Sequence, residues 1–437
     1  MPPPLISGVK VIGGCVSLRS HEPITDCEML GTSNKPIVSM RKLLRGVLTV
    51  GVVLSSGGAR HPGPVAFAAQ PGTGAAAGAI ATPPTISQQP LIRTIYNWGD
   101  DVAVITDKWM PSKARAIYSL ATVDARSSQI IPFRAINCDS YDDIAYSSQF
   151  GKIVVCGRGD AAQLYQLTER GWTKFSEPIQ GKEFRCTIEG DRIAAISDTA
   201  LYLFSSSTKP SLRISIAIPD FTVANARALL TEQSVLIAYD HGEFGGALYH
   251  VDLSQSTTPT KLLDDNVKYL ARSPSGAIWA AAGLGHLGYE HGALYRVQGP
   301  NAETVASVSG DIMTGESKIR EKSGVQFPGL TSVSGLAFGD TDRAIVVFPE
   351  LGVFELDDNG FSARYRGSLT FTYDDSLRGL RFIAQSGPVG VVTTTSGDLY
   401  VASRSLGVFW IRGNGQAASI KQVTFARASS AQQKIAR

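Results

Sequence analysis

The sequence predicts an all-β fold in which seven four-stranded sheets stack around a common axis, a β-propeller. Three observations predict it. A nearly continuous apolar strand recurs seven times, a short apolar–aromatic signature follows each occurrence, and no helix-period segment separates them.

The first of these elements is the second strand of each unit. It reads Asp101-Val102-Ala103-Val104-Ile105, then Gly151 to Cys156, Asp191 to Ile196, Ser234 to Ala238, Gly276 to Ala280, Ala344 to Phe348 and Asp398 to Ala402. The third strand carries Ile117-Tyr118, Leu164-Tyr165, Leu201-Tyr202, Leu248-Tyr249, Leu294-Tyr295, Val353-Phe354 and Val408-Phe409, in the same order. The spacings between these aromatics, 47, 37, 47, 46, 59 and 55 residues, mostly fall close to the roughly 40–50-residue period of propeller blades. The first unit is the least regular, so six or eight blades stand as alternatives to seven.

The apolar strands choose among repeat folds. A run that is apolar at every position is dry on both faces, whereas a sandwich strand alternates because one face meets water. A parallel α/β sheet also buries both faces, but it needs a helix in each crossover. Here the connections are short and rich in Gly, Ser, Asp and Asn. Twisted sheets stacked on one another satisfy both requirements.

Ser273-Pro274-Ser275-Gly276-Ala277-Ile278-Trp279, followed by Gly292-Ala293-Leu294-Tyr295, resembles the strand–turn–strand core of two-component-regulator and TolB-like propeller repeats. The resemblance spans about Leu91 to Phe425 and implies a fold. It implies no activity, cofactor or site. The Trp-Asp dipeptide of WD40 blades, the sialidase Asp-box, the Kelch double-glycine pattern and a repeated quinoprotein tryptophan motif are all missing from the sequence.

Outside the repeats the chain changes character. Residues 1–39 read as a non-native or disordered extension. Residues 40–68 have the grammar of a signal peptide: Met40-Arg41-Lys42-Leu43-Leu44-Arg45 is basic, Gly46 to Leu54 is apolar, and Ala66-Phe67-Ala68 suits a signal peptidase. Export to the periplasm or the extracellular space is therefore expected, and Met40 is a candidate start. Residues 69–90 read as a flexible linker, 91–425 as the propeller and 426–437 as a frayed tail. The apolar run is too short to span a bilayer as a stable helix.

Net charge follows the same division. The whole chain carries 41 Lys and Arg against 38 Asp and Glu. Seven of the cations and three of the carboxylates precede Ala69, so the remainder is close to neutral and has no nucleic-acid signature. Beyond the leader, cysteine is confined to Cys138, Cys156 and Cys186, which allow at most one disulfide. Cys156 and Cys186 lie in apolar strands of neighbouring units and read as buried, unpaired core residues.

Candidate chemistry gathers where the second-to-third-strand loops meet the entries to each unit, here called the top face. Glu183-Phe184-Arg185, Asn225-Ala226-Arg227 and Asn266-Val267-Lys268 place a cation at the same point of three consecutive units. Arg185, Arg227 and Lys268, with Asn225 and Asn266, are thus candidate ligands for a small anion, since guanidinium groups grip carboxylate or phosphate. His241 and Glu243 occupy one top loop, and His286, Glu290 and His291 the next, a possible metal-ligating or acid–base group. The segments Ser309 to Gly329 and Leu369 to Gly387 are long top-face entries.

Two readings of function follow. One is a scaffold that binds a small anionic ligand or a protein partner on its top face. The other is a secreted hydrolase or lyase built on the histidine group with the cations holding an anionic substrate. The sequence names no cofactor and no oligomeric state.

Overall fold

A computed structural model describes residues 9–12 and 15–18 and, with short breaks, residues 91–425; the longest break covers 367–387. The expected signal peptide, the expected linker, the tail 426–437 and the 369–387 entry therefore lie outside the described residues. The chain divides into two compact units, Met1–Thr73 and Gly74–Arg437. In the first unit, within the segment read as an extension, β1 (Val9–Ile12) and β2 (Cys15–Leu18) form an antiparallel hairpin.

The second unit is a seven-bladed propeller. Blade 1 contains β3 (Leu91–Trp98), β4 (Asp101–Met110), β5 (Arg115–Asp124) and β6 (Gln129–Pro132). Blade 2 contains β7 (Ser140–Ser147), β8 (Gly151–Arg158), β9 (Ala161–Thr168) and β10 (Gly171–Lys174), with β11 (Ile179–Gln180) added on β9. Blade 3 is β12 (Arg185–Glu189), β13 (Arg192–Ile196), β14 (Ala200–Phe204) and β15 (Leu212–Ser215). Blade 4 is β16 (Ala226–Leu230), β17 (Ser234–Asp240), β18 (Gly246–Asp252) and β19 (Thr260–Leu263).

Blade 5 has five strands, β20 (Val267–Arg272), β21 (Ile278–His286), β22 (Tyr289–Gln298), β23 (Asn301–Asp311) and β24 (Glu316–Arg320). Blade 6 is β25 (Gly335–Phe338), β26 (Ala344–Phe348), β27 (Gly352–Asp357) and β28 (Gly360–Arg366). Blade 7 is β29 (Pro388–Thr393), β30 (Leu399–Ser403), β31 (Gly407–Arg412) and β32 (Ser419–Phe425). The expected second and third strands are β4, β8, β13, β17, β21, β26 and β30 and their successors.

Each blade is dry on both faces because successive side chains of a strand point to opposite sides. On β13, Ile193 and Ala195 pack with Ile153, Val155 and Leu164 of blade 2. The alternating Ala194 and Ile196 pack with Val235 and Ile237 of blade 4. The same division recurs at every interface, and the ring closes through Ile92, Ile95, Val102 and Val104 of blade 1 against Tyr400, Ala402, Val408 and Trp410 of blade 7.

The ring closes without a shared blade. Blades 1 and 7 are each built from four consecutive strands, and their outer strands β6 and β32 meet in a short parallel pairing, Thr424 with Gln129 and Phe425 with Ile130. Polar contacts reinforce the seam: the Ile92 N–H donates to the Arg404 carbonyl at 2.7 Å, and Asn97 Nδ2 donates to the Thr393 carbonyl at 2.7 Å.

The structure corrects one expectation. Cys156 is not an unpaired core thiol; it forms a disulfide with Cys138. Cys138 lies just before β7 and Cys156 in β8, which pairs with it, and the two Cα atoms are 5.6 Å apart, within bridging range. Cys186 is the buried free cysteine. The bridge encloses a separation of 18 residues. Cys138→Ala should therefore lower unfolding free energy by about 3 kcal/mol, as the loop-closure argument gives, read from urea denaturation of the oxidised protein.

Candidate functional site at the channel mouth

The first strand of every blade starts at the top face and runs beside the axis. In four blades this strand carries a bulge near its top end. The unpaired residue is Arg93 in β3, Asp142 in β7, Lys268 in β20 and Val389 in β29. A bulge bends the strand and re-aims the extra side chain, so three of the four turn a charged group out of the ladder.

Arg185 and Arg227 do come together. Arg185 is only 2 % exposed; its Nε donates to the Ala226 carbonyl at 3.0 Å, and its Nη1 to the Asp142 and Phe184 carbonyls at 3.0 and 2.9 Å. Arg227 Nη1 reaches the same Ala226 oxygen at 3.3 Å. Its Nη2 donates to Thr94 Oγ1 at 3.1 Å, joining blade 4 to blade 1 across the ring. The Arg93 guanidinium lies 4.0 Å over the Tyr118 ring. Burial first, and then the neighbouring charge of Arg93, lower the pKa of Arg185.

Lys268 does not join them in direct contact. Its Nζ lies 3.5 Å from an Asp240 carboxylate oxygen. Asn225 is exposed at the end of a 3-10 turn, and its N–H bonds the Thr222 carbonyl at 3.1 Å. Asn266 is buried, with Nδ2 donating to Asp240 Oδ1 at 2.7 Å, to the Gly245 carbonyl at 3.0 Å and to the Gly242 carbonyl. It fastens a loop rather than facing the axis.

Carboxylates share the mouth. Asp143 accepts from the Tyr96 hydroxyl and, at 2.8 Å, from the Cys186 N–H. Asp142 is buried, and its oxygens occupy the space over Gly157, where a Cβ would come within 2.7–2.8 Å of them. Burial is the main cause that raises the Asp142 carboxyl to about 6, against the pull of Ser140, Arg185 and Arg93. Beside it Glu183 holds φ at 50°, the left-handed region that a non-glycine residue rarely enters. Strain of this kind collects at functional sites.

No family model matches the sequence, and no curated protein is similar to it. Among solved structures, a streptogramin B lyase is 12 % identical with TM-score 0.45, covering 75 % of this chain and 93 % of that one. A catalytically inactive virginiamycin B lyase from Staphylococcus aureus with quinupristin is 10 % identical with TM-score 0.45, covering 74 % and 94 %. The β-propeller domain of the trilobed protease from Pyrococcus furiosus is 10 % identical with TM-score 0.46, covering 78 % and 97 %. The likeness is one of fold.

Of the histidine group, His241 and Glu243 lie between β17 and β18. His286, Glu290 and His291 lie not in a loop but in the paired strands β21 and β22, because that hairpin runs on to His286–Tyr289. His291 Nε2 lies 2.9 and 3.1 Å from the two oxygens of Asp265, which also accepts from the Tyr295 hydroxyl. Burial disfavours the charged imidazole, but the bond to Asp265 outweighs it and raises the His291 pKa. Glu290 accepts from the Ser332 N–H at 3.0 Å. His241 and Glu243 are exposed, with the His241 ring 5.6 Å from that of Phe244. His286 ends β21, and its side chain lies outside the described residues. Among the described residues no three His, Cys, Asp or Glu side chains are placed to hold a metal ion.

Arg93, Asp142, Asp143, Tyr96 and Tyr118 were missed by sequence reasoning. The adjacent carboxylates Asp142-Asp143 at a blade entry were the available signal, because paired acids in an apolar strand demand a reason. The raised Asp142 pKa has a consequence for stability. A carboxyl held above its ordinary 3.8 at about 6 favours the fold when protonated, and that contribution is lost as pH rises from about 4 through 6. Asp142→Asn should flatten this part of the stability–pH curve and stabilise the protein at pH 7 by roughly 2 kcal/mol, measured by denaturant titration at several pH values.

Proposed function

We propose that this chain is an exported binding scaffold that takes an anionic group, from a small ligand or a partner protein, at its channel mouth. Arg227 carries the reading. Its guanidinium is held by neutral oxygens, the Ala226 carbonyl and the Thr94 hydroxyl, and among the described residues no carboxylate is paired with it. Arg93 and Arg185 lie within electrostatic reach, which strengthens the attraction for an anion. Arg185 itself serves by holding three carbonyls in place.

A hydrolase or lyase would need the histidines of blades 4 and 5 to act together. His291 bonds Asp265 while His241 is exposed beside Phe244, so no contact among the described residues joins these two, and the scaffold reading is preferred. Export rests on the leader grammar and is favoured by the Cys138–Cys156 disulfide, since such bonds persist in oxidising compartments. Among the described residues no helix is long and apolar enough to cross a membrane.

Two measurements test the proposal. Titration of the purified protein with inorganic phosphate and with a tricarboxylate should show saturable binding, and Arg227→Ala should weaken it by about 1.5–3 kcal/mol. Sulfate, whose charge is constant in this range, should bind more tightly as pH falls through about 6, where Asp142 gives up its negative charge. Affinity that is unchanged in Arg227→Ala would remove the anion site. Mass spectrometry of the exported protein should find Ala69 as its first residue; an intact leader would argue against export by this route.

A further inference from the structure

The channel mouth carries charge of both signs. Arg93 and Arg227 each lie within electrostatic reach of Arg185, and so do Asp142 and Asp143. Glu183 acts on Asp142 from the entry of blade 3. A simple anion entering here is drawn by the guanidinium groups and repelled by the acids. Asp143 is already engaged, by the Tyr96 hydroxyl and the Cys186 N–H. Asp142 and Glu183 differ from it. Among the described residues neither enters an ion pair, and the Glu183 carboxylate accepts no hydrogen bond.

One guanidinium gathers these groups. Arg185 Nη1 donates to the carbonyls of Asp142 and of Phe184, the residue after Glu183, at 3.0 and 2.9 Å. Its Nε donates at 3.0 Å to the carbonyl of Ala226, the residue before Arg227. Arg227 Nη1 meets the same Ala226 oxygen at 3.3 Å. The entries of blades 2, 3 and 4 are therefore fixed around a single buried cation, and they bring Asp142, Glu183 and Arg227 to one mouth. A site held this firmly loses little freedom when a ligand arrives.

Glu183 is half-buried and holds φ at 50°. Glycine would take up this conformation freely, so the backbone does not account for a glutamate here. What the side chain adds is a carboxylate at the mouth, within electrostatic reach of Asp142 and of the Tyr118 hydroxyl. The charged groups that face Asp142 are Arg93 of β3 and Arg185 and Glu183 at the entry of blade 3. Burial first, and the Glu183 charge in addition, push the Asp142 carboxyl up. A cationic group between the two acids would relieve their repulsion.

We propose that the mouth takes a zwitterion, an α-amino acid, with its carboxylate on Arg227 and its ammonium group between Glu183 and Asp142. This ligand class rests on the anion-site reading of the mouth, since its carboxylate is the anionic group that Arg227 takes. A ligand without net charge suits a site where acids and guanidinium groups stand together, and charge-assisted bonds at both ends fix its orientation. The acid must be ionised for this ligand, whereas its proton favours a plain anion. Between about pH 5 and 7 an amino acid keeps both of its charges. Its binding therefore tightens as pH rises through about 6, the opposite of sulfate.

The test is calorimetric titration of the full chain with sulfate and, singly, with each standard protein amino acid. At least one amino acid should bind saturably at pH 7, roughly tenfold or more tightly than its analogue lacking the amino group. Glu183→Gln should erase that difference and tighten sulfate, because a repelling charge has gone. Its melting temperature should match the parent, since the side chain is half-buried and makes no hydrogen bond among the described residues. Asp142→Asn should remove the rise in amino-acid affinity with pH, and Arg227→Ala should weaken both ligands. Sulfate binding without amino-acid binding, equal affinity for the analogue, or amino-acid binding unmoved by Glu183→Gln or Arg227→Ala would overturn the zwitterion and leave the anion site standing. Binding of neither sulfate nor any amino acid would remove the anion site and the zwitterion together.

Discussion

Everything in this molecule depends on sheets that cannot tolerate water on either face. A blade such as β12–β15 has no solvated side to offer, because Ile193 and Ala195 point one way and Ala194 and Ile196 the other. Each sheet must therefore be sandwiched between two more, and sheets that twist as they stack turn steadily about an axis. The process ends only when the last sheet meets the first. Here that meeting places Tyr400 and Trp410 of blade 7 on Val104 and Ile95 of blade 1, and the apolar demand is met all round.

Closure by packing alone leaves the seam with less backbone continuity than a blade assembled from both chain ends. The parallel contact of β6 with β32 spans two residue pairs. Side-chain and terminal contacts compensate: Asn97 reaches the Thr393 carbonyl, and Arg404 pairs with Asp107 at 3.4 Å. The polar axis contributes in a related way. Arg227 joins Thr94 across the ring, and Arg185 links the Asp142 carbonyl of blade 2 to the Ala226 carbonyl of blade 4. Buried polar groups of this kind require partners, and the carbonyls freed at strand entries provide them.

The two faces of the proposed binding chemistry come from the same device, a tightly paired scaffold with small departures at its top. A bulge at Arg93 or Asp142 costs one ladder residue and moves a charged group to the axis. Asn266 ties two loop carbonyls and Asp240 to the entry of blade 5. The functional candidates thus lie where the repeat is broken, while the repeat itself supplies rigidity.

The second and third strands of the blades and their order were legible in the sequence, because an uninterrupted apolar run reports directly on local burial, but the fifth strands of blades 2 and 5 were not. Seven blades could be counted from Ile153-Val154-Val155 and its counterparts without knowing how any two blades touch. The convergence of Arg185 and Arg227 was legible too, through their equal place in consecutive repeats. Other features belong to the tertiary structure alone. Cys156 found Cys138 at the entry to the neighbouring strand β7, Arg227 found Thr94 at a sequence distance of 133, and Lys268 was diverted to Asp240. Periodicity records which side of a strand is dry, but register, bulges and ring closure decide which polar atoms meet. Those contacts are made between distant residues, and no local pattern encodes their partners.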